Sequence, residues 1–234
     1  MNVIEIKDLV KIYDNTAVQV TAVDHVDLTI EKGEFTAIVG PSGSGKTTLL
    51  NMIGGLDQPT SGTIHVDDVD ITKLKSKQLI DFRLNNIGFV FQSYNLIPVL
   101  TAGENVSFIL EMQGAPKVEI ESRTKEILTE VGLGDRINSR PNQLSGGQQQ
   151  RVAVARAMAS KPKFIIADEP TANLDSKATA KLLDMMEELN RKEHITFLFS
   201  THDQRVMNKA HRILVLEDGR IVKDERMGAD AAKE

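Results

Sequence analysis

One stretch limits what this chain can fold into more than any other: Phe35-Thr36-Ala37-Ile38-Val39-Gly40-Pro41-Ser42-Gly43-Ser44-Gly45-Lys46-Thr47-Thr48-Leu49-Leu50. Residues 35–39 are a short apolar run bounded by glycine, which predicts a buried strand. Residues 47–56 predict the helix that follows. Between them stands G-x-x-x-x-G-K-T. Gly40, Gly43 and Gly45 let the backbone curl closely enough for successive N–H groups to face phosphate oxygens. The helix start adds unpaired N–H groups and the positive end of its dipole. Lys46 can reach the outer phosphates, and the Thr47 hydroxyl can ligate magnesium. A glycine-rich turn before an ordinary helix is the bland alternative, and the strand-loop-helix order counts against it. The loop Gly40, Pro41, Ser42, Gly43, Ser44, Gly45, Lys46, Thr47 and Thr48 is therefore a candidate nucleoside triphosphate site. It does not say what the energy is used for.

The totals exclude several classes. A chain of 234 residues with a net charge of −5 carries no basic footprint for nucleic acid or anionic lipid. The absence of cysteine removes disulfides, a cysteine zinc cluster and a thiol nucleophile. No run approaches the roughly 18 apolar residues that span a bilayer. Met1-Asn2-Val3-Ile4-Glu5-Ile6 enters alternating, strand-like sequence without a basic leader. The expectation is a cytoplasmic chain with no direct membrane insertion, so any membrane role comes through a partner.

Taken in order, residues 3–9, 20–30, 63–66, 87–91, 164–168 and 195–199 read as strands, and 212–216 with 220–223 as a hairpin around Asp218-Gly219. A turn is expected at Asp14-Asn15. Residues 76–84, 104–112 and 117–131 read as helices, the last with Ile120, Ile127 and Val131 on one face. Strand signals vanish from 93 to 160, which predicts a helical lobe inserted into an α/β core made of 1–92 and 161–227. The small, charged tail from 228 is expected to be disordered. Residues 94–100 are apolar for a loop, and read equally as a docking surface or an internal hinge.

Chemistry is concentrated at four further places. Leu144-Ser145-Gly146-Gly147-Gln148 has the S-x-x-Q spacing of a capping box opening a helix. Two glycines inside that helix cost about 1 kcal/mol each relative to alanine, yet a bare helix start also suits a second phosphate. Asp168-Glu169 ends an apolar strand, where Asp168 suits a magnesium shell and Glu169 can deprotonate a water. His202 closes another core strand and can bond a terminal phosphate. Tyr13 offers either packing at a strand end or a flat face for a base, and Gln92 follows the 87–91 strand.

This ordered set resembles the nucleotide-binding subunits of ATP-binding-cassette proteins over essentially the whole chain. The resemblance implies a P-loop NTPase core, mostly parallel sheet flanked by helices, with an N-terminal antiparallel β subdomain and an inserted helical lobe. It implies ATP and magnesium as ligands. Tyr13 would stack on adenine, Lys46 and the loop amides would hold phosphates, and Thr47 and Gln92, supported by Asp168, would complete the magnesium shell. Glu169 would be the general base and His202 the γ-phosphate contact. Ser145, Gly146, Gly147 and Gln148 would face the ATP of a second subunit, giving a head-to-tail homodimer that drives a separate transmembrane permease from the inner face of the membrane. The strings Phe89-Val90-Phe91-Gln92-Ser93-Tyr94-Asn95-Leu96-Ile97-Pro98 and Asp168-Glu169-Pro170-Thr171-Ala172-Asn173-Leu174-Asp175 are similar to the macrolide-export, lipoprotein-release and cell-division branch. Ala172 and Gly103 depart from it, glycine and a larger residue being usual there. A cell-division-type module that signals or works mechanically without transport is the alternative output. A small-molecule kinase would leave residues 144–148 without a role.

Overall fold

The computed structural model describes residues 1–14 and 19–227. The Asn15 half of the expected turn and the tail from 228 lie outside them. The chain runs β1 (Asn2–Tyr13), β2 (Val20–Glu31), β3 (Phe35–Val39), α1 (Lys46–Ile53), β4 (Ser61–Val66), β5 (Val69–Asp70), α2 (Ser76–Asn86) and β6 (Ile87–Val90). It continues through α3 (Ala102–Met112), α4 (Lys117–Glu130), α5 (Gly146–Ala159), β7 (Phe164–Asp168), α6 (Ser176–Glu193), β8 (Thr196–Thr201), α7 (Gln204–Lys209), β9 (Arg212–Glu217) and β10 (Arg220–Arg226).

Two sheets result. An antiparallel one has the order β2-β1-β4-β5, and a larger one the order β10-β9-β3-β8-β7-β6. In the larger sheet β9, β3, β8, β7 and β6 are parallel, and β10 closes the edge antiparallel. A parallel sheet is covered on both faces, so its strands read as continuous apolar runs. The two faces separate residue by residue. Ile165, Ala167, Phe197 and Phe199 pack under α3 to α6, while Phe164, Ile166, Leu198 and Leu214 pack against α1 and the antiparallel sheet. Each of the isoleucine, leucine and phenylalanine side chains among these stabilises the fold by about 1.5–3 kcal/mol through burial.

The helix after the phosphate loop stops at Ile53, short of the expected residue 56. Gly55 turns left-handed at φ +63, and the Leu56 and Gly55 amides donate back to Asn51 and Met52. That pair of bonds is a Schellman stop. Between β6 and β7 there is no strand, and α3, α4 and α5 pack on one another there. Gly103 has a local reason: a Cβ on it would lie 2.9 Å from Ile137 Cγ1.

The carboxyl ends of the parallel strands lie along one edge, the usual ligand side of an open α/β sheet. From that edge β3 delivers Gly40, β6 leads to Gln92, β7 ends in Asp168 and β8 leads to His202.

Candidate functional site

The phosphate loop is shaped by backbones pressing on it. A Cβ on Gly40 (φ +153) would lie 2.0 Å from the Leu216 carbonyl oxygen, and one on Gly45 (φ +101) 2.1 Å from that of Ala22. Neither position tolerates a side chain. The β9–β10 turn joins the same packing, its Gly219 amide donating to the Ser44 carbonyl at 3.0 Å while the Asp24 amide donates to Gly219. Gly45 is the N-cap of α1, and no side chain caps this helix. Its first N–H groups therefore face the loop, the arrangement that receives anions.

Lys46 supplies the charge. It is only 8 % exposed, and its Nζ donates to the Gly40 and Pro41 carbonyls at 2.8 Å each. No carboxylate pairs with it among the described residues, so a buried ammonium sits at the loop with its charge available to an anion. The loop opens on a cavity of about 730 Å³ whose wall also holds Thr21, Glu169 and His202.

The acids at the end of β7 are held by its neighbour. Asp168 sits opposite Ser200 in the β7–β8 register. Its Oδ1 accepts from the Thr47 hydroxyl at 3.2 Å and from the Ser200 hydroxyl. The Glu169 amide donates to both the Ser200 carbonyl (3.1 Å) and its Oγ (3.0 Å). Glu169 is left-handed at φ +46. For a non-glycine residue such a conformation costs about 1–3 kcal/mol, and the double anchor to Ser200 holds it. The turn aims the carboxylate at the cavity, where its Oε1 lies 3.1 Å from His202 Nδ1. Glu169 and His202 also line an adjoining cleft of about 240 Å³ with Thr171, Leu174 and Asp203.

Ser200 was not legible as a site residue. Its one signal in the sequence is a small hydroxyl at the end of an otherwise apolar strand. Thr47 and Asp168 bring a hydroxyl and a carboxylate oxygen within reach of each other, a hard-oxygen donor set that fits magnesium. Gln92 lies exposed just past β6, and its carbonyl accepts from Asn173 Nδ2 at 2.9 Å, tying that segment to the loop after Glu169.

The structure does not bring Tyr13 to the cavity wall. Its hydroxyl donates to Asp57 at 2.7 Å, and Lys11 Nζ lies 4.8 Å from its ring centroid while also pairing with Asp57 at 2.7 Å. Burial, then the Asp57 carboxylate, raises the phenol above its ordinary value.

Residues 145–148 also lie off that wall. There the capping box is closed in both directions: Ser145 Oγ accepts from the Gln148 amide at 3.3 Å, and the Ser145 amide donates to Gln148 Oε1 at 2.8 Å. Both internal glycines have packing reasons. A Cβ on Gly146 would lie 2.9 Å from the Tyr94 hydroxyl, and one on Gly147 3.0 Å from Ala178 Cβ. One chain thus assembles the loop, Asp168, Glu169 and His202, and leaves its second glycine-rich helix start elsewhere.

Residues 23–172 match the family model described as ABC transporter. The chain is 43% identical to the macrolide export ATP-binding/permease protein MacB of Hyphomonas neptunium, over 99% of this chain and 36% of that protein. It is 41% identical to the methionine import ATP-binding protein MetN 1 of Bacillus thuringiensis, over 96% of this chain and 66% of that protein. Its structure is similar to a dimeric post-hydrolysis state of the ATP-binding cassette MJ0796 bound to ADP and Pi, with a TM-score of 0.88 and 42% identity over 97% of this chain and 99% of that one.

Proposed function

The chain belongs to the ABC transporter family as an ATP-binding cassette with ATPase activity, and we propose that two copies close head to tail on two ATP molecules to drive a separate membrane permease. The observation that carries this reading is the separation of the two helix starts. The α1 end, with Lys46 and the loop, receives phosphates, whereas the α5 end lies off that cavity and is available to the nucleotide of a second copy. The MJ0796 cassette, dimeric in its ADP and Pi complex, supports the pairing.

In this scheme the loop amides and Lys46 bind the β- and γ-phosphates, and Tyr13, held to Asp57 off the cavity wall, has to leave that contact to take the adenine. Magnesium would be held by Thr47 and Gln92 with Asp168 behind them, and when bound it supplies neutralisation of charge on the phosphate oxygens. Glu169 accepts the proton of the attacking water. His202, bonded to Glu169, contacts the γ-phosphate and keeps that carboxylate aimed. Closure comes from binding, and hydrolysis reopens the pair.

The permease contact falls at an apolar groove of about 440 Å³ between α2, β6, α3 and α5. Leu56, Ile80, Phe108 and Met112 line it, all large apolar side chains 40% exposed or more. Apolar side chains gathered at one groove mark an interaction site. No helix among the described residues is long and apolar enough to cross a membrane, so the transport path belongs to that partner. The strings at 89–98 and 168–175 favour the export or lipoprotein-release branch.

The test is Glu169→Gln. Turnover should fall by about 10²–10⁴-fold, the range for loss of a general base. The variant should still bind ATP and accumulate as a dimer that ADP does not support, read by light scattering on a sizing column. Hydrolysis at the wild-type rate would remove Glu169 from the role.

A further inference from the structure

Two acids stand on the wall of the nucleotide cavity, and they are partnered differently. Glu169 has His202 at 3.1 Å. Asp218 is exposed on the turn between β9 and β10, and no cation or hydrogen-bond donor meets its carboxylate among the described residues. A carboxylate only accepts, and its charge opposes a triphosphate bound in the same cavity.

The turn that carries Asp218 is fixed. Glu217 stands opposite Arg220, so the loop has two residues, and both are left-handed: Asp218 at φ +45 and Gly219 at φ +79. Such a turn takes Asn-Gly as readily as Asp-Gly, so its shape does not call for a charge. The Gly219 amide donates to the Ser44 carbonyl at 3.0 Å, and the Gly219 carbonyl accepts from the Asp24 amide at 2.9 Å. Arg220 Nε donates to Asp24 Oδ2 at 2.7 Å. A Cβ on Gly219 would lie 3.1 Å from the Ala22 carbonyl oxygen. Asp218 is therefore held in place against both the phosphate loop and the start of β2.

The neighbours on β2 say which part of a nucleotide it meets. Val20, Thr21 and Ala22 line the cavity with it, and Tyr13 stands opposite Val20 in the β1–β2 register. With phosphates at Lys46 and the start of α1, and adenine at Tyr13, the sugar between them falls on this side of the wall.

We propose that Asp218 reads the ribose: its carboxylate accepts hydrogen bonds from the 2′- and 3′-hydroxyls of the bound nucleotide, so that the site prefers ribonucleotides. The proposal rests on the reading of the cavity as an ATP site and adds the part of ATP that it selects. The hydroxyls are donors without charge, and they turn a carboxylate that opposes phosphate into one that favours the whole nucleotide. An acid on a ribose hydroxyl is also the solution that dinucleotide-binding α/β sheets reach.

The experiment titrates the full chain calorimetrically with ATP, 2′,3′-dideoxy-ATP and inorganic tripolyphosphate, without magnesium so that nothing is hydrolysed. The wild-type chain should bind ATP about tenfold tighter than dideoxy-ATP, the scale of a hydrogen bond to a charged group. Asp218→Ala should bring the two nucleotides to equal affinity. It should bind tripolyphosphate at least as well as the wild type does, since a negative charge has been removed. Asp218→Asn, which keeps the turn and one neutral acceptor, should retain part of the preference. A purely structural role for Asp218 would weaken all three ligands alike and leave the preference for ATP in place, which would overturn the proposal. Equal binding of ATP and dideoxy-ATP by the wild-type chain would overturn it too, with the ATP site itself intact. A chain that takes up neither ATP nor tripolyphosphate would overturn the ATP reading, and the ribose contact with it.

Discussion

Two helices of this protein begin with glycine-rich sequence, and they solve the problem of unpaired N–H groups in opposite ways. At α1 nothing from a side chain caps the helix, the preceding glycine is left-handed, and a buried ammonium stands beside the open donors. At α5 the serine and glutamine close a reciprocal box, and the glycines admit the Tyr94 hydroxyl and Ala178. The first end is left unsatisfied by the chain and built to be completed by a phosphate. The second is spent only in part on the chain itself: the box binds the Ser145 and Gln148 amides and leaves those of Gly146 and Gly147 to a further ligand. A helix start is therefore not a phosphate site by its glycines alone; what differs is how many of its donors the chain has spent on itself.

The sharpest way to break this contrast is to put a methyl group on each side of it. Gly45→Ala places a Cβ 2.1 Å from the Ala22 carbonyl at a φ of +101. The backbone has to move, at a cost on the order of 2–4 kcal/mol, and nucleotide binding should be lost outright. Gly147→Ala meets only the Ala178 methyl at 3.0 Å. That variant should fold and bind ATP in isothermal titration at close to the wild-type affinity. Equal loss in the two variants would mean that α5 shares the first nucleotide after all.

The difference between these ends also governs how much could be read before the fold was known. The α/β order was legible because the parallel strands are buried on both faces and so lack polar alternation, as in Phe164-Ile165-Ile166-Ala167. Loop, acids and histidine were legible because each follows such a run. Ser200 was not, because its role depends on lying opposite Asp168 across two strands 32 residues apart, a register that no local pattern encodes. The Tyr13–Asp57–Lys11 cluster was hidden for the same reason: its members come from β1 and the loop beyond α1. The groove was half visible, since the apolar 94–100 stretch suggested docking or a hinge.

A smaller effect separates capping from function. The α3 helix opens with a box of the same kind, in which Thr101 accepts from the Glu104 amide and Glu104 bonds back. Thr101→Ala and Ser145→Ala should each cost about 1 kcal/mol of stability, measured by urea unfolding. Only Ser145→Ala should also reduce ATP-dependent dimerisation and turnover. If both variants lose activity in proportion to stability, Ser145 is a cap and nothing more.

The smallest expected effect is one of pH, and it falls on the loop beyond α1 rather than on the start of α5. Burial pushes the Asp57 carboxyl up, but bonds from Lys11, Tyr13 and the Gln58 amide outweigh it and leave the group below its ordinary value. A carboxylate depressed in the folded state stabilises that state fully above its unfolded pKa of about 3.9, and the contribution is lost as pH falls through the lower folded value. Below pH of about 4, then, β1 and the loop after α1 should loosen from each other, seen as faster amide exchange in β1. The Ser145–Gln148 box contains no titrating group, so the start of α5 should not respond with them. Asp57→Asn should flatten this local acid response while leaving α5 unchanged. The loop beyond α1 would then be tied to β1 by charge, while the start of α5 is held by neutral hydrogen bonds that a second copy can engage without a change of protonation.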